Sequence, residues 1–159
     1  MRRFIFSCIS ASPPNDGVVT KGYRKNPLEP FEDYINLLST WSNSIYKNDK
    51  VFAIKKYVEK KSVIKDLVND KVLFLNDDNK LLHQWNGDKK DIPAIFKILP
   101  GKWNEKRQEW ESWQAEAFVR WVVEKDDDPQ SKVWTDNKII KSWIDYYSST
   151  KSNKYLCYV

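Results

Sequence analysis

The chain has 159 residues, of which 41% are hydrophobic, and this size suits a single domain with one ordinary core. Its 27 basic and 22 acidic residues give a net charge of +5, which favours association with a polyanion. The four glycines, Gly17, Gly22, Gly87 and Gly101, are isolated from one another, and this excludes a glycine-rich phosphate-binding loop.

The N-terminal part predicts a strand followed by a loop. Residues 3–10 have strand composition, and the run from Pro13 to Gly17 continues neither a helix nor a strand. The apolar stretch after Arg3 is too short for a signal peptide, and no segment has the length of a membrane span. We assign residues 1–159 to one domain, and residues 1–29 remain without a defined role.

Four helices are predicted where apolar residues recur at intervals of three and four. Pro30 marks the start of the first, Ser62 is a candidate N-cap of the third, and Thr135 or Asp136 is a candidate N-cap of the fourth. The predicted helices cover residues 31–47, 51–60, 62–69 and 136–149.

Short strands are predicted where β-branched, aromatic and other apolar residues cluster. Residues 72–75 and 81–85 are expected to form a hairpin around a polar turn, with a helical turn as the alternative for 81–85. Residues 102–115 are expected to form an inserted loop or an exposed helix. The predicted strands lie near residues 3–10, 72–75, 94–99, 117–124 and 154–158. Helices packed on this small mixed or antiparallel sheet make an α+β fold.

The last six residues alternate like the middle of a strand and end without a polar tail. Such a strand needs a partner for its backbone groups, either an internal strand or another chain, and this favours a piece of a larger subunit. Cys8 and Cys157 have no metal-ligand spacing and are predicted to be buried free thiols of a cytoplasmic protein. A disulfide between them would require adjacent first and last strands and an oxidising compartment.

Residues able to support catalysis are scarce. His83 is the only histidine, and neither cysteine lies near it in the sequence. The acidic run Asp126–Asp128 offers carboxylates to a cation but needs a sharp turn to converge on one ion, and the segment from Asn76 lacks the later residues of a calcium loop. We therefore predict a protein that is not an enzyme and uses neither cofactor nor metal. A small nuclease using Asp126–Asp128 is the weakest alternative.

With catalysis disfavoured, the side chains of this protein suit the recognition of another molecule. Eight Trp and eight Tyr exceed the needs of a small core, so some are expected at a surface that contacts another molecule, unless they all fill the core. Lysine and amide side chains around Trp85 suit phosphate contacts and the reading of base edges, although an ordinary polar turn has the same composition. The candidate nucleic-acid-binding residues are Asn76, Asn79, Lys80, Gln84, Asn86, Lys89, Lys90 and Lys97.

Residues 30–159 contain a succession of pieces in fixed order, namely Pro30-Phe31-x-x-Tyr34-Ile35-x-x-Leu38-x-x-Trp41, Ala53-Ile54-x-x-Tyr57-Val58-x-x-x-Ser62-Val63-Ile64-Lys65-Asp66-Leu67-Val68, Lys71-Val72-Leu73, Pro93-Ala94-Ile95-Phe96-Lys97-Ile98-Leu99-Pro100, Ala117-Phe118-Val119-Arg120-Trp121, Val133-Trp134-x-Asp136 and Leu156-Cys157-Tyr158-Val159. This succession resembles the large subunit of the type I-C CRISPR Cascade surveillance complex. In that family the Cys-Tyr-Val strand continues into Thr-Gly-Glu and a long C-terminal part, so an internal fragment or a truncated or degenerate homologue is expected.

The resemblance implies a non-catalytic module that contributes to double-stranded DNA target recognition through the flanking motif and to complex assembly in antiviral defence. Its implied partners are the Cascade backbone subunits, the crRNA-containing complex and double-stranded DNA, with no membrane and no small-molecule substrate. The alternative is a freestanding mimic of the subunit that inhibits CRISPR interference by occupying its docking site. Such a mimic would bind Cascade partners without affinity for DNA.

Overall fold

The computed structural model describes residues 7–8, 29–82, 84–85, 87–99, 102–107, 109–111, 114 and 118–151. These residues form five α-helices and five short strands, which confirms the α+β class with helices dominant and the sheets minimal. The helices are α1 (Glu29–Ser42), α2 (Asp49–Val58), α3 (Val63–Asn69), α4 (Ala94–Ile98) and α5 (Asn137–Ser149). None of these helices is both long and apolar enough to cross a bilayer.

The helix ends are set by short polar side chains that compete for backbone hydrogen bonds. The predicted first helix was too long at its C-terminus: α1 stops at Ser42, and the Ser44 hydroxyl donates to the Trp41 carbonyl at 2.7 Å. The Asn48 side chain then caps α2 by accepting from the backbone N–H of Lys50 at 3.0 Å. Residues 43–47 therefore form a turn rather than the last turn of α1.

The two N-caps predicted from the sequence have different outcomes. Asp136 is confirmed as the N-cap of α5, because its Oδ1 accepts from the backbone N–H groups of Lys138 at 2.9 Å and Ile139 at 3.4 Å. Ser62 occupies the N-cap position of α3, but its hydroxyl donates to the Asp66 carboxylate at 2.8 Å instead of capping the helix.

The strands form two small antiparallel sheets. They are β1 (Ser7–Cys8), β2 (Gln84–Trp85), β3 (Lys102–Asn104), β4 (Glu109–Glu111) and β5 (Phe118–Val119). Strand β1 pairs with β5, and the second sheet has the order β2-β4-β3. The expectation of a loop or helix at 102–115 is wrong for β3 and β4, because the Asn104 side chain accepts from the N–H groups of Lys106 and Arg107 and shapes a hairpin turn.

The strand predicted at 94–99 is a helix. Pro93 sits at its N-cap position, and the backbone N–H of Leu99 donates to the Ile95 carbonyl at 3.0 Å. Phe96 is fully buried and Leu99 nearly so, while Ile98 is 78% exposed. A short apolar run does not distinguish a buried strand from a helical turn, and here the proline favoured the turn.

Two further predicted strands are shorter than expected. The hairpin at 72–75 and 81–85 is reduced to one bridge between Leu75 and Leu81, with the polar turn where it was predicted. The strand at 117–124 continues past β5 only as a bridge between Val122 and Lys132, because the chain folds back at residues 125–128, which we call the acidic turn. Of residues 3–10 the structure describes two, and residues 154–158 with Cys157 lie outside the described part.

The main core lies where α1, α2, α5 and a 3₁₀ helix at Val133–Thr135 meet. The Trp41 ring lies 5.4 Å edge-on from the Trp143 ring, and its Nε1 donates to Ser142 Oγ at 3.0 Å. A cavity of about 10 Å³ beside Trp41 holds at most one water. Several aromatic side chains thus fill the core, while Phe52 and Tyr147 remain partly exposed.

Candidate nucleic-acid interface

The candidate interface begins at the polar turn between Leu75 and Leu81. The Asn76 Oδ1 accepts from the backbone N–H groups of Asp78 at 3.1 Å and Lys80 at 2.9 Å. Asn79 has a φ of 59°, a left-handed conformation that asparagine tolerates better than most residues. Both asparagines therefore shape the turn, and the exposed Lys80 side chain lies at its end.

A buried glutamine fixes the two segments that flank this turn. Gln114 is fully buried; its Oε1 accepts from the Phe74 N–H, and its Nε2 donates to the carbonyls of Phe74 and Leu82, all at 2.9 Å. One side chain thus supplements the short ladder between the two segments, in which the Leu82 N–H donates to the Phe74 carbonyl at 2.8 Å. Sequence analysis missed this residue, because its segment has no clear period.

Trp85 is held inside the same region. Its Nε1 donates to the Asp88 carbonyl at 3.0 Å, and its ring lies 6.4 Å from that of Phe96. A Cβ added at Gly87 would lie 2.6 Å from the Trp85 ring, so a larger residue there would displace the ring. The Asp88 side chain also accepts from the Lys90 N–H and begins a 3₁₀ helix at Lys89–Asp91.

The predicted lysines lie on separate elements. Lys80 ends the turn, Lys90 belongs to the 3₁₀ helix and Lys97 to α4, and all three side chains are exposed. Lys89 forms an exposed ion pair with Glu105 at 3.0 Å, which ties the 3₁₀ helix to the β3–β4 turn. Gln84 is exposed on β2, and Asn86 lies outside the described residues.

The acidic run contributes one carboxylate, that of Asp128, to a buried ionic cluster. Lys50, only 3% exposed, donates to Asp136 Oδ2 at 2.7 Å, to Asp128 Oδ2 at 2.8 Å and to the Gln130 carbonyl. Asp126 is exposed, and within the described residues no three His, Cys, Asp or Glu side chains are grouped to hold a metal. The cluster joins α2 to the acidic turn and to the start of α5.

The charges of the ionic cluster stabilise one another. Burial opposes the charge on Lys50, but hydrogen bonds to Asp128 and Asp136 outweigh it, so the pKa of Lys50 lies above its usual value. The hydrogen bond from Lys50, followed by one from the Gln130 N–H, holds the pKa of Asp128 below its usual value. At neutral pH the lysine and Asp128 are therefore both charged.

Asn76→Ala is expected to lower the free energy of unfolding by about 1 kcal/mol, because two turn N–H groups lose their acceptor. Urea denaturation would measure this change. Asn76→Asp keeps the acceptor oxygen and is the matched control, with stability near that of the wild type. Equal stability of the alanine variant and the wild type would contradict a role of Asn76 in the turn.

A protein-family model described as CRISPR-associated protein (Cas_Csd1) matches residues 14–159 of the chain. The match includes every described element from α1 onwards and begins upstream of residue 30, where the sequence likeness begins. No curated protein and no solved structure matches the chain.

Proposed function

The chain belongs to the Cas_Csd1 family of CRISPR-associated proteins, the family of type I-C Cascade large subunits, and on this premise we propose its function. It is a non-catalytic module that contributes to double-stranded DNA recognition and to assembly of Cascade. The family match is the observation that carries the proposal. The proposed partners are the Cascade backbone subunits, the crRNA-containing complex and duplex DNA, and the proposed location is the cytoplasm.

The exposed lysines support the DNA-binding part of the proposal. Lys80, Lys90 and Lys97 are exposed in a chain of net charge +5. Lysine is a strongly hydrated point charge that suits phosphate oxygens better than base edges. Asn76 and Asn79 shape the turn, so we do not assign them to base edges. We assign this surface to contacts with the phosphate backbone of DNA, which position a protein on the duplex without reading its sequence.

The ionic cluster supports the non-catalytic part. Lys50 and Asp136 are buried and engage each other, and Asp128 and the Gln130 carbonyl occupy further donor positions of the lysine. The core cavity beside Trp41 is too small for a substrate. These polar groups hold elements together, and we assign them no chemical step.

Replacing Lys80, Lys90 and Lys97 together with alanine is expected to weaken duplex binding and its salt dependence. For each lysine that binds a phosphate, its removal should reduce the slope of log affinity against log salt by about 0.9 for duplex DNA. Fluorescence anisotropy of a labelled duplex at several salt concentrations measures both quantities. The control is the chain carrying Lys47→Ala, Lys60→Ala and Lys65→Ala. It loses the same charge from exposed positions between α1 and the end of α3, outside the candidate interface.

An equal loss of affinity in both triple variants would contradict the assignment of this surface and leave only the net charge effect. A pull-down with Cascade lacking its large subunit, with and without target DNA, tests the assembly part. Tight association with Cascade but no DNA affinity would favour the mimic that occupies the docking site. Association with neither partner would contradict the proposed function.

A further inference from the structure

Gln114 is an uncharged amide that is completely buried inside the protein. Its Nε2 donates to the carbonyls of Phe74 and Leu82, and its Oε1 accepts from the Phe74 N–H, each at 2.9 Å. A buried amide whose groups are paired in this way is held in one orientation, because any rotation would leave a buried donor or acceptor without its partner. Gln114 is therefore a rigid point of attachment.

The turn that carries Lys80 is closed by hydrogen bonds within its own segment. The Leu82 N–H donates to the Phe74 carbonyl at 2.8 Å across the base of the turn. Among the described residues, the hydrogen bonds that join this segment, residues 74–82, to another part of the chain are those of Gln114. The amide thus connects the turn to a segment that lies about 32–40 residues further along the chain.

Apolar packing also holds the turn but does not fix its angle. Leu81 is buried in a small cluster with Ile64, Leu73 and Leu99. Apolar burial is non-directional, whereas hydrogen bonds have preferred distances and angles. The packing therefore keeps the turn against α3 and the end of α4, and the bonds of Gln114 set its orientation.

The stretch of chain from β4 to Gln114 supports two of the candidate lysines. Gln114 follows the last residue of β4 by three positions and holds the turn with Lys80. Strand β4 pairs with Trp85 of β2, whose Nε1 donates to the Asp88 carbonyl, and the Asp88 side chain begins the 3₁₀ helix that carries Lys90. The two exposed lysines therefore start from backbone positions that are attached to the same stretch of chain.

Two cations at a fixed separation bind a polyanion better than two that move independently. Once one lysine contacts a phosphate, the other meets a phosphate of the same duplex as an intramolecular event. A backbone that is ordered before binding loses less conformational freedom in that step. Loss of the Gln114 hydrogen bonds should therefore reduce the contribution of Lys80 to duplex binding, although the charge of the protein does not change.

We propose that Gln114 is a positioning residue of the candidate interface, which acts through Lys80 by fixing its turn on the β2-β4-β3 sheet. The inference deepens the proposed function and rests on it for the ligand, the phosphate backbone of a duplex. Because Gln114 is buried and uncharged, it acts without contacting DNA. Its effect on affinity should therefore disappear when Lys80 is replaced.

A double-mutant cycle on the full chain tests this proposal, with a labelled duplex and fluorescence anisotropy at several salt concentrations. We expect Gln114→Met to weaken binding about threefold or more in the wild-type background and less than about 1.5-fold in the Lys80→Ala background. In the Lys97→Ala background the loss should remain about threefold, because the bonds of Gln114 go to residues 74 and 82 and none goes to α4. The slope of log affinity against log salt should fall by up to about 0.9, the value for one phosphate contact.

A matched variant separates positioning from a loss of stability. Ile139→Ala removes a fully buried side chain from the main core, away from the interface, and also destabilises the fold. It should leave the salt slope unchanged and have the same effect with and without Lys80. Circular dichroism at the assay temperature checks folding. If Gln114→Met does not fold, Gln114→Asn takes its place in the cycle, because it keeps an amide but withdraws it from its partners by one carbon.

An equal loss from Gln114→Met with and without Lys80, or an unchanged salt slope, would overturn the proposal and leave Gln114 with a structural role alone. Duplex binding by Lys80→Ala as tight as that of the wild type would also overturn it. In each of these cases the wild-type chain still binds DNA, so the proposed function stands. A wild-type chain without duplex affinity would contradict the DNA-binding part of the proposed function, and the positioning role of Gln114 would fail with it.

Discussion

Lys50→Met is expected to lower the free energy of unfolding by about 3–5 kcal/mol, because it leaves carboxylates inside the protein without their cation. The Asp136 side chain is almost fully buried and the Asp128 side chain is mostly buried. The Lys50 ammonium forms ion pairs with both carboxylates. Methionine keeps the length and the apolar stem of the side chain, so the loss reports the charge and not a cavity. Urea denaturation at neutral pH would measure it.

Two further variants test the origin of this loss. Lys125→Met removes an exposed ion pair with Asp49 whose N–O distance, 2.7 Å, equals that of the Lys50–Asp136 pair. This variant should not measurably change the denaturation midpoint. Adding Asp136→Asn to Lys50→Met should recover part of the stability, because asparagine removes the buried charge and is still a good N-cap. A Lys50→Met variant as stable as the wild type would show that the cluster contributes nothing.

The pH dependence of the same cluster has a defined sign. Since the folded pKa of Asp128 is lowered, its contribution is present above the ordinary value of 3.8 and is lost as the pH falls through the folded pKa. Since the folded pKa of Lys50 is raised, its contribution is present below 10.5 and is lost as the pH rises through its folded value. The acid loss should be smaller in Lys50→Met than in the wild type.

The sequence predicted most helices because their apolar period is local information. It also contained one signal for the buried lysine: Lys50 lies four residues before Ile54 and eight before Val58, on the stripe that α2 buries. The partners of Lys50 are 78 and 86 residues away in the sequence, as Asp128 and Asp136, and no local pattern gives such a pairing. A lysine at a core position is a reason to search for distant carboxylates.

The strands were harder to predict than the helices because tertiary contacts replace their ladders. Residues 72–75 have strand composition, yet Gln114 bonds both backbone groups of Phe74, and only one bridge forms across the turn. At 94–99 the apolar composition indicated a strand, but Pro93 stands at the N-cap position and the five residues after it form α4. The candidate lysines were predictable as exposed groups, but the role of Asn76 in the turn depended on backbone geometry.

Gln114→Met should cost on the order of 3 kcal/mol, because it removes three hydrogen bonds from a fully buried side chain and keeps most of its volume. The Phe74 N–H and the Leu82 carbonyl would lose their hydrogen bonds to Gln114, while the Phe74 carbonyl would keep the one from the Leu82 N–H at 2.8 Å. Phe74 and Leu82 are half-buried, so water would satisfy some of these groups and keep the loss below the sum of three full penalties.

The expected signature of this variant is local as well as global. Hydrogen exchange at the Phe74 amide should become faster by more than at amides of α5, because Gln114 is the acceptor for that amide and no part of the α5 ladder depends on it. Gln84→Met, at an exposed position on β2, is the matched control and should change stability and exchange at Phe74 less than Gln114→Met does. If Gln114→Met left the Phe74 amide as protected as in the wild type, the two segments would be held without Gln114, by the backbone hydrogen bond from Leu82 to Phe74 and by packing of Leu73 and Leu81.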